Sequence, residues 1–466
     1  MKRMHLNAFK LAGVGHTAIG LWRHPDSQAH RYKDLDYWIE TARTLERGMF
    51  DSLFIADFPG LYDTYKNSPD AALRDAIAVP LGDPLMAVSA MAAVTQHLGF
   101  GITVSTTYEQ PYSLARKFTT LDHLTKGRIG WNVVTSINAS AARNLGLDRA
   151  VPHDERYAIA DEFLEAAYRL WEGSWEEDAV VADVDRGIYV DADKVHPAGH
   201  DGKYFRVPDP FLCEPSPQRT PTLFQAGASA AGKDFAAKHA EAVFLVDPAP
   251  AGMKKLTSEI RALAAERGRD PNHIKFMAGL SVVVAPTDEE AQTKFEDLIR
   301  HVSIEGTLAR QSALMQLDFG SIDIDKPLEF VETDGIRSFL ERFTKGDPDR
   351  VWTPRQVAER LARSLGALTI VGSPTTIADR MEALMEETGI DGFNLYDNMP
   401  LQTMNEFVDL VVPELQRRGR VPTAYPASTL RENLSETTSA RLADDHEGAK
   451  YRVGHAARPE PVAAAG

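Results

Sequence analysis

The stretch "KGRIGWNVVTSINASAARNLG", residues 126–146, opens as a buried strand and changes character at its end. Its apolar run, Ile129 to Val134, contains a Trp-Asn pair, Trp131 and Asn132. The polar residues that follow are Thr135, Ser136, Asn138, Arg143 and Asn144. Polar side chains directly after a buried strand mark a candidate functional site if other strands of the same sheet end in the same way.

Seven further short apolar runs alternate along the chain with longer helical patterns, which is the order that parallel α/β folds require. The eight predicted strands are His5–Phe9, Ser52–Asp57, Gly99–Thr106, Arg128–Thr135, Pro221–Gly227, Ala242–Val246, Ile274–Ala285 and Gly392–Tyr396. The predicted helices are Asp34–Arg47, Pro84–His97, Tyr112–Leu124, Glu155–Trp171, Lys233–His239, Lys254–Arg267 and Thr375–Glu387. This alternation predicts a (β/α)8 TIM barrel.

Three stretches between these elements are longer than ordinary loops, at about 58–82, 175–220 and 287–370. We expect them to be insertions on one barrel domain that spans residues 1–425. Residues 426–466 then form a C-terminal arm, and its Pro- and Ala-rich end, "HAARPEPVAAAG", is expected to be disordered.

Composition favours an enzyme that acts on a small molecule. The chain has 466 residues, a formal net charge of −16 and a single cysteine, Cys213. It contains no apolar run of about 18 residues that would span a membrane, and its start lacks the apolar core of a secretory signal. The acidic balance predicts no binding to nucleic acid or an anionic membrane. One cysteine excludes an internal disulfide and suits a reducing cytoplasm.

Other predicted strands also end in polar residues. Asp57 closes "SLFIAD", a run of threonines and serine from Thr103 to Thr107 closes "GITVSTT", and the segment from Gln225 to Ser229 closes "TLFQAGAS". Because parallel strands present their carboxyl ends at one face of a barrel, these groups are expected to converge on one rim.

Two segments near this rim are suited to an anion. "QAGASAAGKDFAAKHA" runs through Gly227, Ser229 and Gly232 into a helix, so backbone N–H groups are free at its start. In "VPHDERYAIADEFLEAAYRLWEG", His153 and Tyr157 lie one turn apart at the start of another helix, where they suit a phosphate. The structural alternative is that His153 and Asp154 cap this helix while Tyr157 packs.

Several familiar site motifs are absent from the sequence. No G-x-G-x-x-G follows a strand, so a Rossmann nicotinamide site is not indicated. There is neither an H-E-x-x-H zinc motif nor a G-x-S-x-G nucleophile elbow. His196 and His200 are separated by Pro197 and Gly199, which favours a loop over a helix that would aim both at one ion. We therefore predict no metal site.

Four blocks together carry a family resemblance: "FDSLFIAD", "GRIGWNVVTSINASAARNLG", "HDERYAIADEFLEAAYRLWEGSW" and "DADKVHPAGHDGKYFRVPDPFLCEPSPQRTPTLFQAGAS". They resemble the nitrilotriacetate monooxygenase component A group of bacterial-luciferase-like flavin monooxygenases, which includes dibenzothiophene sulfone and long-chain alkane monooxygenases. The resemblance runs in order from about residue 3 to about residue 420. The tail "DDHEGAKYR" at 444–452 is similar to the alkane branch.

The resemblance implies a barrel that binds FMN as FMNH2, supplied by a separate NAD(P)H:flavin reductase. Such an enzyme activates O2 as a flavin peroxide to oxidise or cleave a small organic substrate, and it forms a homodimer or a dimer of dimers. Transferred by motif, the resemblance places Asp57 and Thr103 along the flavin ring. It places His153, Tyr157 and Ser229 at the ribityl phosphate.

The opening stretch gains an interpretation from the same resemblance. Asn138 is the member of its polar end expected to border the flavin pocket. Trp131 and Asn132 are expected in the barrel interior, the first as a packed ring with its N–H satisfied and the second as a buried amide between strands.

We expect His16, in "AGVGHTAIGLW", and Tyr62, in "FPGLYDTY", to transfer protons or to orient the peroxide. The alternatives are a satisfied core histidine and a lid anchor. Where the alkane branch has polar or thiol side chains, this sequence has Gly13, Ala78 and Ile137. These small or apolar residues predict a roomier or more apolar pocket, suited to an apolar, aromatic or heterocyclic substrate. The insertion that carries Arg310 can change the shape of this pocket.

Two other functions remain open at this stage. One is a deazaflavin (F420)-dependent dehydrogenase on the same barrel, which F420 binding in preference to FMN would indicate. The other is a non-catalytic flavin-binding protein, which would hold oxidised FMN tightly without altering the reoxidation of FMNH2.

Overall fold

The structure is a computed structural model, and it describes residues 2–15, 17–247, 249–328, 343, 351–435 and 438–454. Its strands are β1 (His5–Leu11), β2 (Ser52–Ala56), β3 (Gly99–Ser105), β4 (Ile129–Val134), β5 (Val180–Asp183), β6 (Ile188–Val190), β7 (His200–Asp201), β8 (Arg206–Val207), β9 (Thr222–Gln225), β10 (Ala242–Leu245), β11 (Lys275–Val284), β12 (Leu368–Gly372) and β13 (Gly392–Tyr396).

The α-helices span Leu35–Arg47, Asp70–Asp75, Leu85–Ala93, Pro111–Thr125, Ala139–Asn144, His153–Trp171, Ala230–His239, Pro250–Glu266, Asp288–His301, Ile304–Met315, Pro354–Arg363, Pro374–Thr388, Gln402–Glu406, Val412–Arg417 and Leu430–Ser435. Short 3-10 turns cover Leu21–Arg23, Ala29–Lys33, Tyr65–Asn67, Ala192–Lys194, Pro271–His273 and Glu447–Tyr451, and a π-helical turn covers Phe407–Val411. Within the described parts of the chain, none of these helices is long and apolar enough to cross a membrane.

Eight parallel strands close into a barrel in the order β1, β2, β3, β4, β9, β10, β11, β13. Closure is complete because β1 pairs with both β2 and β13, and β10 pairs with β11. The eight strands predicted from sequence are these eight, so the (β/α)8 barrel is confirmed. A ninth strand, β12, extends the sheet by pairing with the second half of β11.

The Trp-Asn pair of the opening stretch lies on opposite faces of β4, because successive side chains of a strand point to opposite sides. Asn132 faces the interior, as predicted. Trp131 does not: it is fully buried outside the barrel wall, where its ring contacts Phe118, Phe163 and Trp171 on the covering helices. Its Nε1 donates to the carbonyl of Val104 at 3.0 Å, so the expected satisfied N–H is present.

Aromatic side chains fill the middle of the barrel. The ring of Phe9 lies 4.7 Å from that of Tyr396, 5.2 Å from that of Phe244 and 5.9 Å from that of Phe54. The glycine of β4 makes room for a further ring, since a Cβ on Gly130 would lie 2.6 Å from the ring of Phe224. The interior below the rim is therefore packed and apolar.

The C-terminal segment closes the opposite end of the barrel. Leu430 is fully buried, and its backbone N–H donates to the carbonyl of Gly127 at the start of β4. The neighbouring Arg431 forms an ion pair with Glu241 at 2.6 Å. Residues 455–466, which include the tail expected to be disordered, lie outside the described residues.

Parts of two predicted insertions cover the rim. Tyr62 and Ile77 of the first, and Leu308 and Phe319 of the third, belong to the same buried apolar cluster as Phe9. The second insertion instead forms two antiparallel hairpins, β5 with β6 and β7 with β8. The rim is thus shielded by residues that are far apart in sequence.

Candidate functional site

Asp57 directly follows β2 at the rim, and its side chain is partly buried. Burial and the nearby negative charge of Asp83 raise the pKa of this carboxyl to about 6, although the backbone N–H of Phe58 favours the charged form. A carboxyl with this pKa can gain or lose a proton near neutral pH.

Thr103 and Asn132 lie side by side on β3 and β4, where they are register partners. The Nδ2 of Asn132 donates to Thr103 Oγ1 at 2.9 Å, and both side chains are buried. The Oδ1 of Asn132 is buried without a hydrogen-bond partner in the described part of the chain. This unpaired acceptor suits an N–H donor on a ligand above the aromatic layer.

The segment after β9 forms a turn of small residues at a helix N-terminus. Ser229 is the N-cap of Ala230–His239, and its Oγ accepts from the backbone N–H of Gly232 at 3.1 Å. The Tyr157 hydroxyl lies beside this turn, and burial raises its pKa. A Cβ on Gly232 would lie 2.8 Å from that hydroxyl, so the turn and Tyr157 fit closely together.

His153 begins the helix His153–Trp171, with its ring 5.2 Å from that of Tyr157. Its Nδ1 lies 2.8 Å from the Asp154 carboxylate, and its side chain is 42% exposed. No side chain caps this helix, whose N-cap is Pro152, so the capping alternative for His153 and Asp154 is wrong. Tyr157 does pack, against Phe235, and its hydroxyl still lies against the turn at Gly227 and Gly232.

Asn138 acts as a local bridge at the rim. Its Oδ1 accepts from the backbone N–H of Ala141 at 3.1 Å, which caps Ala139–Asn144. Its Nδ2 donates to the carbonyls of Gly60 and Leu61, both at 3.2 Å. These contacts hold the first insertion beside β4. Asn138 would therefore act on a bound flavin indirectly, by fixing the position of that insertion.

Tyr62 lies inside the cover with 6% of its surface exposed, and its hydroxyl has no hydrogen-bond partner among the described residues. Burial raises its pKa to about 12, against the opposing effect of the positive charge of Arg310. The phenol is therefore neutral at ordinary pH and available as a donor. The other predicted catalytic residue, His16, lies outside the described residues and stays a prediction.

The structure adds one polar strand end that the sequence analysis did not single out. Tyr396 ends β13 within the aromatic layer, and burial raises its pKa to about 12. Applying the rule of polar strand ends to all eight strands would have included it. Gln225, which the sequence placed at the end of a strand, ends β9 with its Oε1 buried and unpaired among the described residues. Behind the rim, Lys10 and Asp397 form a buried ion pair.

Metal ligands are not grouped in the described ranges: no three His, Cys, Asp or Glu side chains there are arranged to hold an ion. His196 lies in the second insertion, with its Nε2 2.9 Å from Glu176, and His200 contacts Glu162.

Comparison with known proteins identifies the family. The sequence profile described as luciferase-like monooxygenase matches residues 17–392. The chain belongs to the luciferase-like monooxygenase family. The fold, the family resemblance and the monooxygenase class predicted from sequence are thereby confirmed.

Relatives within the luciferase-like monooxygenases cover almost the whole chain. The dimethyl-sulfide monooxygenase of Hyphomicrobium sulfonivorans is 48% identical over 97% of this chain and 94% of its own length. The long-chain alkane monooxygenase of Geobacillus thermodenitrificans (strain NG80-2) is 48% identical over 97% of this chain and 98% of its own. A solved riboflavin lyase, described with modified FMN and riboflavin, is 37% identical with a TM-score of 0.90, covering 97% of this chain and 100% of that one.

Proposed function

We propose that this protein is the FMNH2-dependent oxygenase component of a two-component flavin monooxygenase. The observation that carries the proposal is the set of polar groups at the barrel rim: the small-residue turn at Ser229 and Gly232 beside the Tyr157 hydroxyl, and the buried unpaired Oδ1 of Asn132. Membership of a family with FMN in a solved relative supports the choice of flavin. The chemistry that reduced FMN supplies when bound is the reductive activation of O2.

The residues of the rim fit such a group. The turn at Ser229 and Gly232 joins backbone N–H groups, a helix N-terminus and the Tyr157 hydroxyl, which together suit a phosphate. His153 would contribute from the neighbouring helix. Thr103 and Asp57 would lie along the flavin ring, and the unpaired Oδ1 of Asn132 would accept from an N–H group there.

The residues of this chain would exclude water from the site and would hold or exchange protons there. The aromatic layer and the two covering insertions keep the interior apolar, which protects reactive oxygen species from solvent. Tyr62 holds its proton at ordinary pH and would donate a hydrogen bond into this space. Asp57, with a pKa of about 6, would exchange a proton at the rim. His16, which follows β1, would be a second proton-transfer group.

The substrate that we propose is a small organic molecule with an apolar, aromatic or heterocyclic body, because the interior is lined by aromatic rings. A separate NAD(P)H:flavin reductase would supply FMNH2. We propose further that the enzyme works in the cytoplasm as a homodimer or a dimer of dimers, which sedimentation velocity would test.

The experiment is a stopped-flow mixture of anaerobic protein and FMNH2 with oxygenated buffer, followed in the near ultraviolet and visible range. We expect a transient spectrum that differs from both reduced and oxidised FMN, and faster decay with a substrate. Gly232→Ala, which should bind FMNH2 more weakly, should give a smaller transient at the same protein concentration, and Gly82→Ala should give the transient of the unmodified protein. Reoxidation at the free-flavin rate with the unmodified protein, together with F420 binding, would instead support the dehydrogenase.

A further inference from the structure

One cation at the covered rim lacks the partners that buried charges normally have. Arg310 lies on the helix Ile304–Met315, next to Leu308 and Ala309 of the apolar cluster that covers the barrel. Its side chain is only partly accessible, and its Nε is buried. Within the described ranges, Arg310 makes no hydrogen bond or ion pair, and its Nε is among the buried atoms without a partner.

Other buried arginines of the protein show the contrast. Arg128 donates to carbonyl or hydroxyl oxygens of Thr125, Thr95, Leu98 and Ala92. Arg431 is paired with Glu241. A buried N–H donor without such an acceptor is costly, because its hydration is lost and nothing in the described ranges replaces it. The acceptor for the Arg310 Nε is therefore expected to come from a bound molecule.

Two phenols near Arg310 are also donors. Tyr62 and Tyr396 belong to the same apolar cluster as Leu308 and Ala309, which precede Arg310 on its helix. The positive charge of Arg310 lowers the pKa of both phenols, yet burial keeps them protonated at ordinary pH. The Tyr62 hydroxyl and the Arg310 Nε are therefore two donors beside one cluster that lack an acceptor among the described residues. A carboxylate or sulfonate supplies several acceptor oxygens and one negative charge, which matches this set.

We propose that Arg310 and Tyr62 bind the anionic head of the substrate, so that the enzyme oxidises a small organic acid, a carboxylate or sulfonate with an apolar body. This inference rests on the proposed function, because it assigns a substrate class to the same pocket. The apolar body would lie against the aromatic layer of Phe9, Phe54 and Tyr396. A small cleft of about 50 Å³ is lined by Phe9 and Tyr396 of this layer.

The test compares charged and neutral ligands of one shape. Benzoate, benzenesulfonate and benzamide are titrated calorimetrically, under anaerobic conditions, into the FMNH2-loaded enzyme and into the flavin-free protein. We expect one of the two anions to bind about tenfold to a hundredfold more tightly than benzamide, as charge-assisted hydrogen bonds imply. Equal binding of all three would overturn the proposal.

Variants of Arg310 test whether this side chain causes the preference for the anion. Arg310→Gln should lose the preference for the anion, and Arg310→Lys should keep part of it, because lysine retains the charge without the planar fork. Arg300→Gln, at an exposed site on a neighbouring helix, is the control for general electrostatics and should bind as the unmodified protein does. Unchanged benzoate affinity in Arg310→Gln would contradict the assignment.

A separate titration with FMNH2 distinguishes the two proposals. If the unmodified protein does not bind FMNH2, the proposed function fails, whereas the anion preference of the flavin-free protein still reports on Arg310. If Arg310→Gln weakens FMNH2 binding and leaves benzoate binding intact, the acceptor is the flavin and the substrate assignment is wrong. Arg310→Gln should unfold at a temperature equal to or above that of the unmodified protein, since Arg310 has no partner among the described residues.

Discussion

Three residues of the rim keep a buried polar atom that has no partner in the described ranges: Asn132, Gln225 and Tyr62. Unpaired buried atoms also occur elsewhere, as at Ser216 and Thr257. The three at the rim are distinguished by their place, beside Asp57 and Thr103 at the carboxyl ends of the barrel strands. Because an unpaired buried polar atom costs free energy, a ligand that pairs with these atoms would bind favourably there.

Asp57 gives a prediction about stability and pH. Its pKa is about 6 in the folded protein, above the ordinary value of 3.8, so the folded state binds its proton more tightly than the unfolded state does. The free energy of unfolding should therefore fall as pH rises from about 4 to about 6 and then stay level. Asp57→Asn, which cannot ionise, should gain about 1–2 kcal/mol relative to the unmodified protein at about pH 8 and little at about pH 4.

Urea unfolding at the two pH values measures this difference. The control is Asp83→Asn, which removes the neighbouring negative charge and so lowers the pKa of Asp57. At about pH 8 it should show part of the stability gain that is expected for Asp57→Asn. The amide oxygen of this variant can still accept from the backbone N–H of Leu85, as the Asp83 carboxylate does at 2.9 Å. An equal effect of Asp57→Asn at both pH values would show that burial does not hold the proton on Asp57.

Gly232 gives a prediction about flavin binding. An added methyl group would lie 2.8 Å from the Tyr157 hydroxyl and 3.0 Å from the carbonyl carbon of Gly227, so the turn must open. We expect Gly232→Ala to weaken FMNH2 binding about tenfold or more, the loss that follows from one displaced hydrogen bond. Gly82→Ala is the matched control, because its nearest atom, the Ala12 oxygen, lies at 3.7 Å. Anaerobic titration with unchanged affinity in Gly232→Ala would remove this turn from the site.

At the scale of elements, the cover of the barrel is held by side chains of the rim rather than by continuous secondary structure. Asn138 and Ser140, at the start of the helix Ala139–Asn144, hydrogen-bond to the backbone of Gly60 and Leu61. Arg143 on the same helix pairs with Asp63. The segment that places Tyr62 over the barrel thus depends on the short helix after β4.

Asn138→Ala should loosen this segment. The variant loses a helix cap, worth about 1 kcal/mol, together with two hydrogen bonds to the carbonyls of Gly60 and Leu61. Asn138→Asp keeps the capping oxygen and loses only the two hydrogen bonds that Nδ2 donates. It should therefore be more stable than Asn138→Ala by the contribution of the cap, while residues 58–63 remain as loosely held as in Asn138→Ala. Hydrogen exchange of peptides that cover residues 58–63 should be faster in both variants. Protection equal to that of the unmodified protein would show that other contacts hold the segment.

At the scale of the whole molecule, the barrel separates a binding end from a structural end. The rim carries unpaired polar atoms of Asn132 and Gln225. Leu430 fills the opposite end against Gly99 and Gly130, where an added Cβ would lie 2.5 Å and 3.1 Å from its methyl carbons. The aromatic layer lies between the two ends. Substitutions at the end of the barrel that Leu430 closes, here called the floor, should therefore affect stability and not the chemistry at the rim.

Leu430→Ala tests this separation. Removing a fully buried leucine leaves a cavity and should lower the free energy of unfolding by about 2–5 kcal/mol. FMNH2 affinity should be unchanged at temperatures where the variant is folded. Leu124→Ala, at a residue that is 59% exposed, should change stability by no more than about 0.5 kcal/mol. Comparable unfolding midpoints of the two variants in urea would show that Leu430 does not support the barrel.

Sequence patterns located the eight barrel strands because a buried parallel strand requires a short apolar run, and its polar end is visible at the next few positions. They were less accurate where local preferences conflict. The predicted helix Lys233–His239 begins at Ala230, because the Ser229 cap starts it before any apolar periodicity is established. The predicted location of Trp131 was wrong because successive side chains of a strand point to opposite faces, so Trp131 and Asn132 cannot both face the interior. The sequence does not state which of the two faces is inside.

The sequence by itself therefore determined the barrel, the family and the strand ends that carry the site, since these depend on neighbouring residues along the chain. Only the tertiary structure decided that Tyr62 and Tyr396 share one apolar cluster with the helix of Arg310, that Asn138 holds the cover, and that Leu430 closes the opposite end of the barrel. These arrangements join segments that are from about 80 to about 330 residues apart. Whether a buried donor has a partner depends on every element packed around it, which no local pattern of residues encodes.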